Sequence, residues 1–119
     1  KSRIAQKRQY SIEVKMKNND IVNLGDFTIT VSNRKILIAN ISLMYKENNS
    51  YDWMLGNSIN KEILKKGDIL RSSVIQTMSN SKYDNLNNEN MKNSLKNNMN
   101  KHLSNGKIEA VYFNRFILQ

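Results

Sequence analysis

The alternation of apolar and polar side chains predicts three strands in the first half of the chain. In residues 10–17 (YSIEVKMK) every second residue is apolar, as in a half-buried strand. Residues 18–20 (NND) give a turn signal, and residues 27–31 alternate apolar side chains with threonines in a second, short strand. Residues 36–45 form the longest predicted strand. Because its second face is also partly apolar, we expect it at the centre of the sheet.

From residue 59 the apolar residues change to helical spacing. The stripe comprises Ile59, Ile63, Leu70, Val74 and Met78, and it is flanked by Leu64 and Ile75. Gly67 lies within the stripe, where glycine costs about 1 kcal/mol relative to alanine. Because the apolar phase continues across it, we favour one long helix over residues 59–79. The alternative ends one helix near Lys66 and begins another with Asp68 as its N-cap.

A second helix is predicted from about Glu89. Its apolar residues lie four apart, at Met91, Leu95, Met99 and Leu103. Ser81 with Asp84 offers a short capped turn before this helix. Asn105 and Gly106 form a helix stop after it.

The chain then closes on residues 108–119 (IEAVYFNRFILQ), which read as a further strand. Tyr112, Phe113 and Phe116 fall on both faces of that strand. We therefore expect at least one face to be core rather than a base-stacking surface. Strands followed by two helices and a returning strand indicate an α+β fold. We expect a small sheet of about three to four strands, packed against two consecutive helices, with the last strand beside an earlier one.

Composition narrows the classes of function. The chain has 119 residues and a net charge of +9. Because it contains no cysteine, disulfides and thiolate metal sites are excluded. The basic charge alone suggests a nucleic-acid or anionic partner. His102 is the single histidine, and no phosphate-binding or nucleophile motif occurs. We therefore predict that the protein is not an enzyme and that it has no catalytic residue, cofactor or metal.

Four segments in order resemble one known family. The similarity is to the FliL family of flagellar basal-body proteins. It covers residues 27–43, 69–86 (ILRSSVIQTMSNSKYDNL), 91–103 and 111–119 (VYFNRFILQ). The positions that match this pattern and are therefore candidate functional residues are Arg71, Leu86, Tyr112, Phe113 and Gln119.

The resemblance implies a stomatin/prohibitin-like periplasmic domain over residues 21–119, preceded by a membrane-proximal linker or first strand over residues 1–20. The resemblance also implies an upstream helix that anchors the domain in the inner membrane, which agrees with a chain that begins at Lys1 without methionine, and it implies Gln119 as the natural end.

Members of the family form rings around the stator units of the flagellar motor and support torque. The implied partners are therefore copies of itself, stator proteins and the inner membrane, and no nucleic acid is expected. The alternative function is a basic nucleic-acid-binding module.

Overall fold

A three-stranded antiparallel sheet with helices on one side forms the part of the chain that the structure describes. This structure is a computed structural model, and it describes residues 20–47, 58–82 and 86–119. The strands lie in the order β1-β2-β3. The elements are β1 (Asp20–Thr30), β2 (Ile36–Glu47), α1 (Ile59–Lys65), α2 (Gly67–Ser79), α3 (Glu89–Asn100) and β3 (Gly106–Leu118). The α+β prediction is confirmed, with three described α-helices where two were expected.

β1 and β2 form a hairpin around a 3-10 turn at Ser32–Arg34. Both predicted strands, 27–31 and 36–45, are confirmed, and both are longer than their patterns indicated. Asp20, which was predicted to lie in a turn, instead begins β1 and pairs with Tyr45. Backbone pairing with the long strand β2 extends β1 through residues 20–26, where the alternation of apolar and polar side chains is weak. The strand predicted over residues 10–17 lies outside the described residues.

β2 is the central strand, as predicted, and its two faces differ. One face is fully buried beneath the helices and carries Leu37, Ala39, Ile41, Leu43 and Tyr45. The other face is only partly covered by described residues, since Ile36 is 40% exposed whereas Ser42 is buried. The central position is therefore right, but the described residues do not fully cover the second face.

β3 pairs with β2 and contains two bulges, one at Glu109 and one at Asn114. Each bulge shifts the alternation of side chains by one residue. Phe113 pairs with Ile41 and Phe116 with Ala39, so both rings face the helices although they are three residues apart. Their ring centroids lie 5.3 Å apart. The expectation that one face of this strand is core is confirmed.

The helical stripe predicted from Ile59 to Met78 is buried in full against the sheet. Leu64 and Ile75, which flank the stripe in sequence, are exposed. Met91, Leu95 and Met99 of α3 complete the helix side of the core. Leu86, at the start of the segment leading into α3, is also buried. One apolar core therefore joins all described elements.

The favoured single helix over residues 59–79 is wrong. Lys66 ends α1 and precedes α2, with φ −102° and ψ 21°. Its ammonium donates to Glu62 Oε2 at 2.9 Å and to the His102 carbonyl at 2.6 Å. The alternative of two helices with a break near Lys66 is right, but its proposed cap is wrong, because Lys66 and not Asp68 occupies the N-cap position of α2. Contacts with the loop after α3 hold this break in place.

The predicted stop of α3 at Asn105 and Gly106 is also wrong, since the helix ends at Asn100. Gly106 is instead the first residue of β3, opposite Glu47. A Cβ at this position would overlap the Lys46 carbonyl oxygen and lie 3.0 Å from the Ile59 Cβ. Gly106 therefore permits close approach of β3, β2 and α1, which no signal in the local sequence reveals.

Gly106→Ala is expected to destabilise the fold, because the backbone of Lys46 cannot move aside without breaking the β2–β3 pairing. We expect a loss of at least about 2 kcal/mol in the free energy of unfolding, measured by urea denaturation. Gly67→Ala is the matched control, since nothing lies within 4 Å of the added Cβ. This control is expected to gain up to about 1 kcal/mol. Equal effects of the two substitutions would contradict the assignment.

Candidate functional site

The side chain of Arg71 extends from α2 to β1. Its Nη1 donates to the Leu24 carbonyl at 2.8 Å, and its Nη2 donates to the Asp26 carbonyl at 2.7 Å. The guanidinium also lies 3.9 Å from the centroid of the Phe27 ring. The planar fork of arginine suits two carbonyls placed two residues apart on a strand. Arg71 therefore joins the helix layer to the backbone of β1.

The direction in which the Leu24 and Asp26 carbonyls point follows from the way backbone hydrogen bonds alternate between the two sides of each strand. Ile36 and Gln119 exchange two backbone bonds, at 3.1 and 2.9 Å, so the polar groups of Ile36 face β3. Because these groups alternate along a strand, those of Ala39 face β1, and those of its partner Phe27 face β2. The neighbouring Asp26 must then direct its carbonyl away from β2. Arg71 therefore binds the edge of β1 that has no neighbouring strand among the described residues.

The strand is bulged where Arg71 binds. Leu24 is skipped in the pairing with β2, and Gly25 has φ 105°. This left-handed conformation favours glycine, and an added Cβ would lie 3.1 Å from Arg71 Nη1. The Asn23 side chain accepts a bond from the Gly25 N–H at 2.7 Å, which further fixes the bulge. The bulge and Arg71 together interrupt the regular edge of β1.

Asn100, the last residue of α3, hydrogen-bonds to the backbone at the opposite edge of the sheet, on β3, as Arg71 does on β1. Its side chain accepts from the Ile108 N–H at 2.7 Å and donates to the Ile108 carbonyl at 3.1 Å. By the same alternation, the backbone of Ile108 faces away from β2. One amide side chain thus replaces a neighbouring strand at the start of β3.

Glu62 is 7% exposed and binds α1 to the loop between α3 and β3. Its carboxylate accepts from the Asn105 N–H at 2.9 Å and from both the N–H and the hydroxyl of Ser104 at 3.0 Å. Lys66 adds a charged bond at 2.9 Å. Burial alone would raise the pKa of the Glu62 carboxyl, but Lys66, Asn105 and Ser104 together lower it to about 2. This carboxylate is ionised and fully used inside the fold.

The other four positions selected by the resemblance do not gather around Arg71. Leu86 is buried in the core, and Phe113 is half-buried against it. Tyr112 is 41% exposed on the opposite sheet face, where its hydroxyl lies 3.8 Å from the Met44 sulfur. Gln119 acts through its backbone, by its reciprocal bonds to Ile36. These residues support the sheet at separate points and do not form one pocket.

A network of amides crosses the helix-free face of the sheet. Asn23 and Asn114 both donate to the Asn40 side-chain oxygen at 2.8 Å, and Asn40 donates to Asp26 at 2.8 Å. Asn114 also donates to the Ser42 hydroxyl at 2.6 Å. Apolar side chains lie exposed on either side of this network, including Ile21, Ile36, Tyr112 and Ile117. This face therefore combines a hydrogen-bonded polar centre with apolar ends.

The described residues contain no group of three or more His, Cys, Asp or Glu side chains that could hold a metal ion. His102 lies exposed in the turn after α3, where its N–H donates to the Met99 carbonyl at 3.0 Å and its carbonyl accepts from the Lys66 ammonium at 2.6 Å. An open groove of about 510 Å³ between α2 and α3 is lined by hydroxyl and amide side chains together with Lys101 and His102. None of these groups forms a nucleophile paired with a base.

Sequence reasoning missed Glu62 and Asn100. In the sequence, Glu62 is one of ten acidic residues and Asn100 is one of many asparagines, so neither is distinguished by its residue type. The spacing of Glu62 and Lys66, four residues apart on a helix, was a usable signal for their ion pair. The loop amides that complete the Glu62 site come from 42 and 43 residues later in the chain, which no local pattern reveals.

Comparison with known families gives one match that covers this whole arrangement. Residues 14–119 match the family model described as flagellar basal body-associated protein FliL. The matched range includes every described strand and helix, together with Glu62, Arg71 and Asn100. A search among curated proteins finds no match.

Within the described residues, no helix is both long and apolar enough to cross a membrane.

Glu62→Gln is expected to lower the free energy of unfolding at pH 7 by about 2–3 kcal/mol, because the variant loses the charge that Lys66 and the loop amides bind. The folded-state pKa near 2 lies below the ordinary value of 4.5, so this stabilisation is present above about pH 4.5. It is lost as the pH falls towards 2. Urea denaturation of both proteins from pH 7 to pH 2 should therefore show the difference shrinking.

Glu89→Gln is the control for that comparison. Glu89 is 84% exposed and lies 3.6 Å from Lys92, so its removal should have little effect at any pH. A pH-independent loss in Glu62→Gln would contradict the role assigned to the ionised carboxylate.

Arg71→Met keeps much of the apolar stem but removes both bonds to β1. We expect a loss of about 2 kcal/mol and faster hydrogen exchange of the Gly25 and Phe27 amides. Because the edge is then uncapped, self-association should also rise with concentration, measured by analytical ultracentrifugation. Arg115→Met, on the helix-free face of β3, is the matched control and should change neither stability nor association. Unchanged exchange in β1 would show that Arg71 does not hold the bulge.

Proposed function

The chain belongs to the FliL family of flagellar basal body-associated proteins, and from this premise we propose that it is a non-enzymatic accessory of the flagellar motor. The observation that carries the proposal is the match across residues 14–119, which leaves out only the first thirteen residues. The hydrogen bonds made by the polar side chains described above also support the proposal. Glu62, Arg71 and Asn100 all bind backbone groups of the fold itself, so their chemistry is structural.

We further propose that this domain lies in the periplasm, held by a single upstream helix in the inner membrane. Copies of it assemble around stator units and support stator engagement and torque. The exposed apolar residues of the helix-free sheet face, such as Ile21, Ile36 and Ile117, favour a protein-binding role. The hydrogen bonds of the asparagine network between them would help to orient the side chains of such a surface.

The alternative, a basic nucleic-acid-binding module, finds little support in the placement of the aromatic residues. Phe113 and Phe116 face the helices, which leaves Tyr112 as the exposed ring of the closing strand. A base-stacking platform needs aromatic faces open to solvent. The net charge of +9 is then the remaining argument for this function.

The proposal is tested by deleting residues 20–119 from the encoded protein in its native host. Swimming speed and the number of fluorescently labelled stator units per motor should both fall, since the stators lose their accessory. Anchored Gly106→Val should behave like the deletion because the fold is lost, whereas Gly67→Ala should behave like the wild type. Immunoblotting of membrane fractions checks that each variant is retained.

Normal swimming and normal stator occupancy after the deletion would reject the motor role. Retention of the purified chain on DNA or RNA, weakening steeply as salt rises, would instead support the nucleic-acid alternative.

A further inference from the structure

The edge of β3 beyond the first bulge is open in the described part of the chain. By the alternation that Ile36 and Gln119 establish, the backbone groups of Val111, Phe113, Phe116 and Leu118 face away from β2. No hydrogen bond from another described residue reaches them. Such a row of unpaired N–H and carbonyl groups is a template for a further strand.

The other described edge positions are interrupted. Arg71 binds the Leu24 and Asp26 carbonyls of β1, which divides that edge into short pieces on either side of the bulge. Asn100 binds both polar groups of Ile108 at the start of β3. The stretch from Val111 to Leu118 contains the Asn114 bulge, but no described side chain binds its outward backbone groups, so it is the longest uncapped edge among the described strands.

A row of cations borders this open edge. Lys92 lies with its ammonium 5.6 Å from the centroid of the Phe113 ring. Lys96 follows one turn later on the same face of α3, in line with Asn100, which contacts Ile108. Arg115 adds a charge on the opposite face of β3. Glu89, at one end of the row, lies 3.6 Å from Lys92 and offsets part of this charge.

We propose that the edge of β3 from Val111 to Leu118 binds an extended, acidic segment of another protein as a fourth strand. Backbone bonds to the outward-facing residues supply affinity, as in other cases of strand addition. Side chains of the added strand that point towards the helices meet Lys92, Lys96 and the partly exposed Phe113. Carboxylates and small apolar groups in alternation fit those positions. The inference goes beyond the motor role and does not depend on it.

A second copy of this chain is a poorer occupant. Each copy carries a net charge of +9, and pairing of two β3 edges would bring two lysine rows together. Pairing with β1 of another copy would require displacement of Arg71 from the Leu24 and Asp26 carbonyls. Charge complementarity therefore favours an acidic strand from a different protein.

The test uses the isotope-labelled full chain and the synthetic peptide acetyl-TEVEVET-amide, with acetyl-TKVKVKT-amide as the basic control. NMR titration and hydrogen exchange are recorded at low salt. On addition of the acidic peptide, the amides of Val111, Phe113, Phe116 and Leu118 should become protected. Those of Tyr112 and Ile117, which already face β2, should keep their exchange rates. The basic peptide should produce no protection.

Charge reversal at Lys92→Glu and Lys96→Glu together should weaken binding of the acidic peptide by about tenfold or more. The double change Lys61→Glu and Lys65→Glu on α1 alters the net charge equally and should leave the affinity unchanged. Three results would each overturn the proposal: equal binding of both peptides, protection confined to β1, or protection of the β3 amides by self-association without peptide. Sedimentation at the NMR concentration identifies the third.

Discussion

The edges of a three-stranded sheet impose the constraint on which the rest of this structure depends. Within the described residues, two of the three strands have no neighbouring strand on one side, and their outward N–H and carbonyl groups must be hydrogen-bonded, hydrated or left open to another strand. Helix side chains supply part of this bonding. Arg71 binds β1 beside its bulge, and Asn100 binds both backbone groups of Ile108. The helix layer is therefore joined to the sheet by directed polar contacts as well as by apolar packing.

These contacts also explain why the helices begin and end where they do. Asn100 can bind Ile108 only if the chain leaves the helix there and returns quickly to β3. The loop in between is held by the Glu62 carboxylate, which in turn engages Lys66 at the junction of α1 and α2. One ionised, buried group thus fixes three features: the break between two helices, the loop after the third and the start of the last strand.

The fold presents two surfaces that differ in the kind of partner they could bind: the helix-free face of the sheet and the outer edge of β3. The helix-free face carries a hydrogen-bonded network centred on Asn40 between exposed apolar groups, a combination that suits contact with another protein. The edge of β3 is bordered by Lys92 and suits an extended acidic segment. Membership of the FliL family is consistent with a domain whose chemistry lies in its surfaces.

Local pattern determined much of this protein. The spacing of apolar residues predicted the buried face of β2, the stripe from Ile59 to Met78 and the four-residue repeat of α3, because burial of one face imposes a period that the sequence must carry. Tertiary structure decided the boundaries and the site. Partners more than forty residues away gave Glu62 its role, and the Asn114 bulge placed Phe113 and Phe116 on one face. Such features depend on which backbone groups meet in space, and the period of a single segment does not encode that.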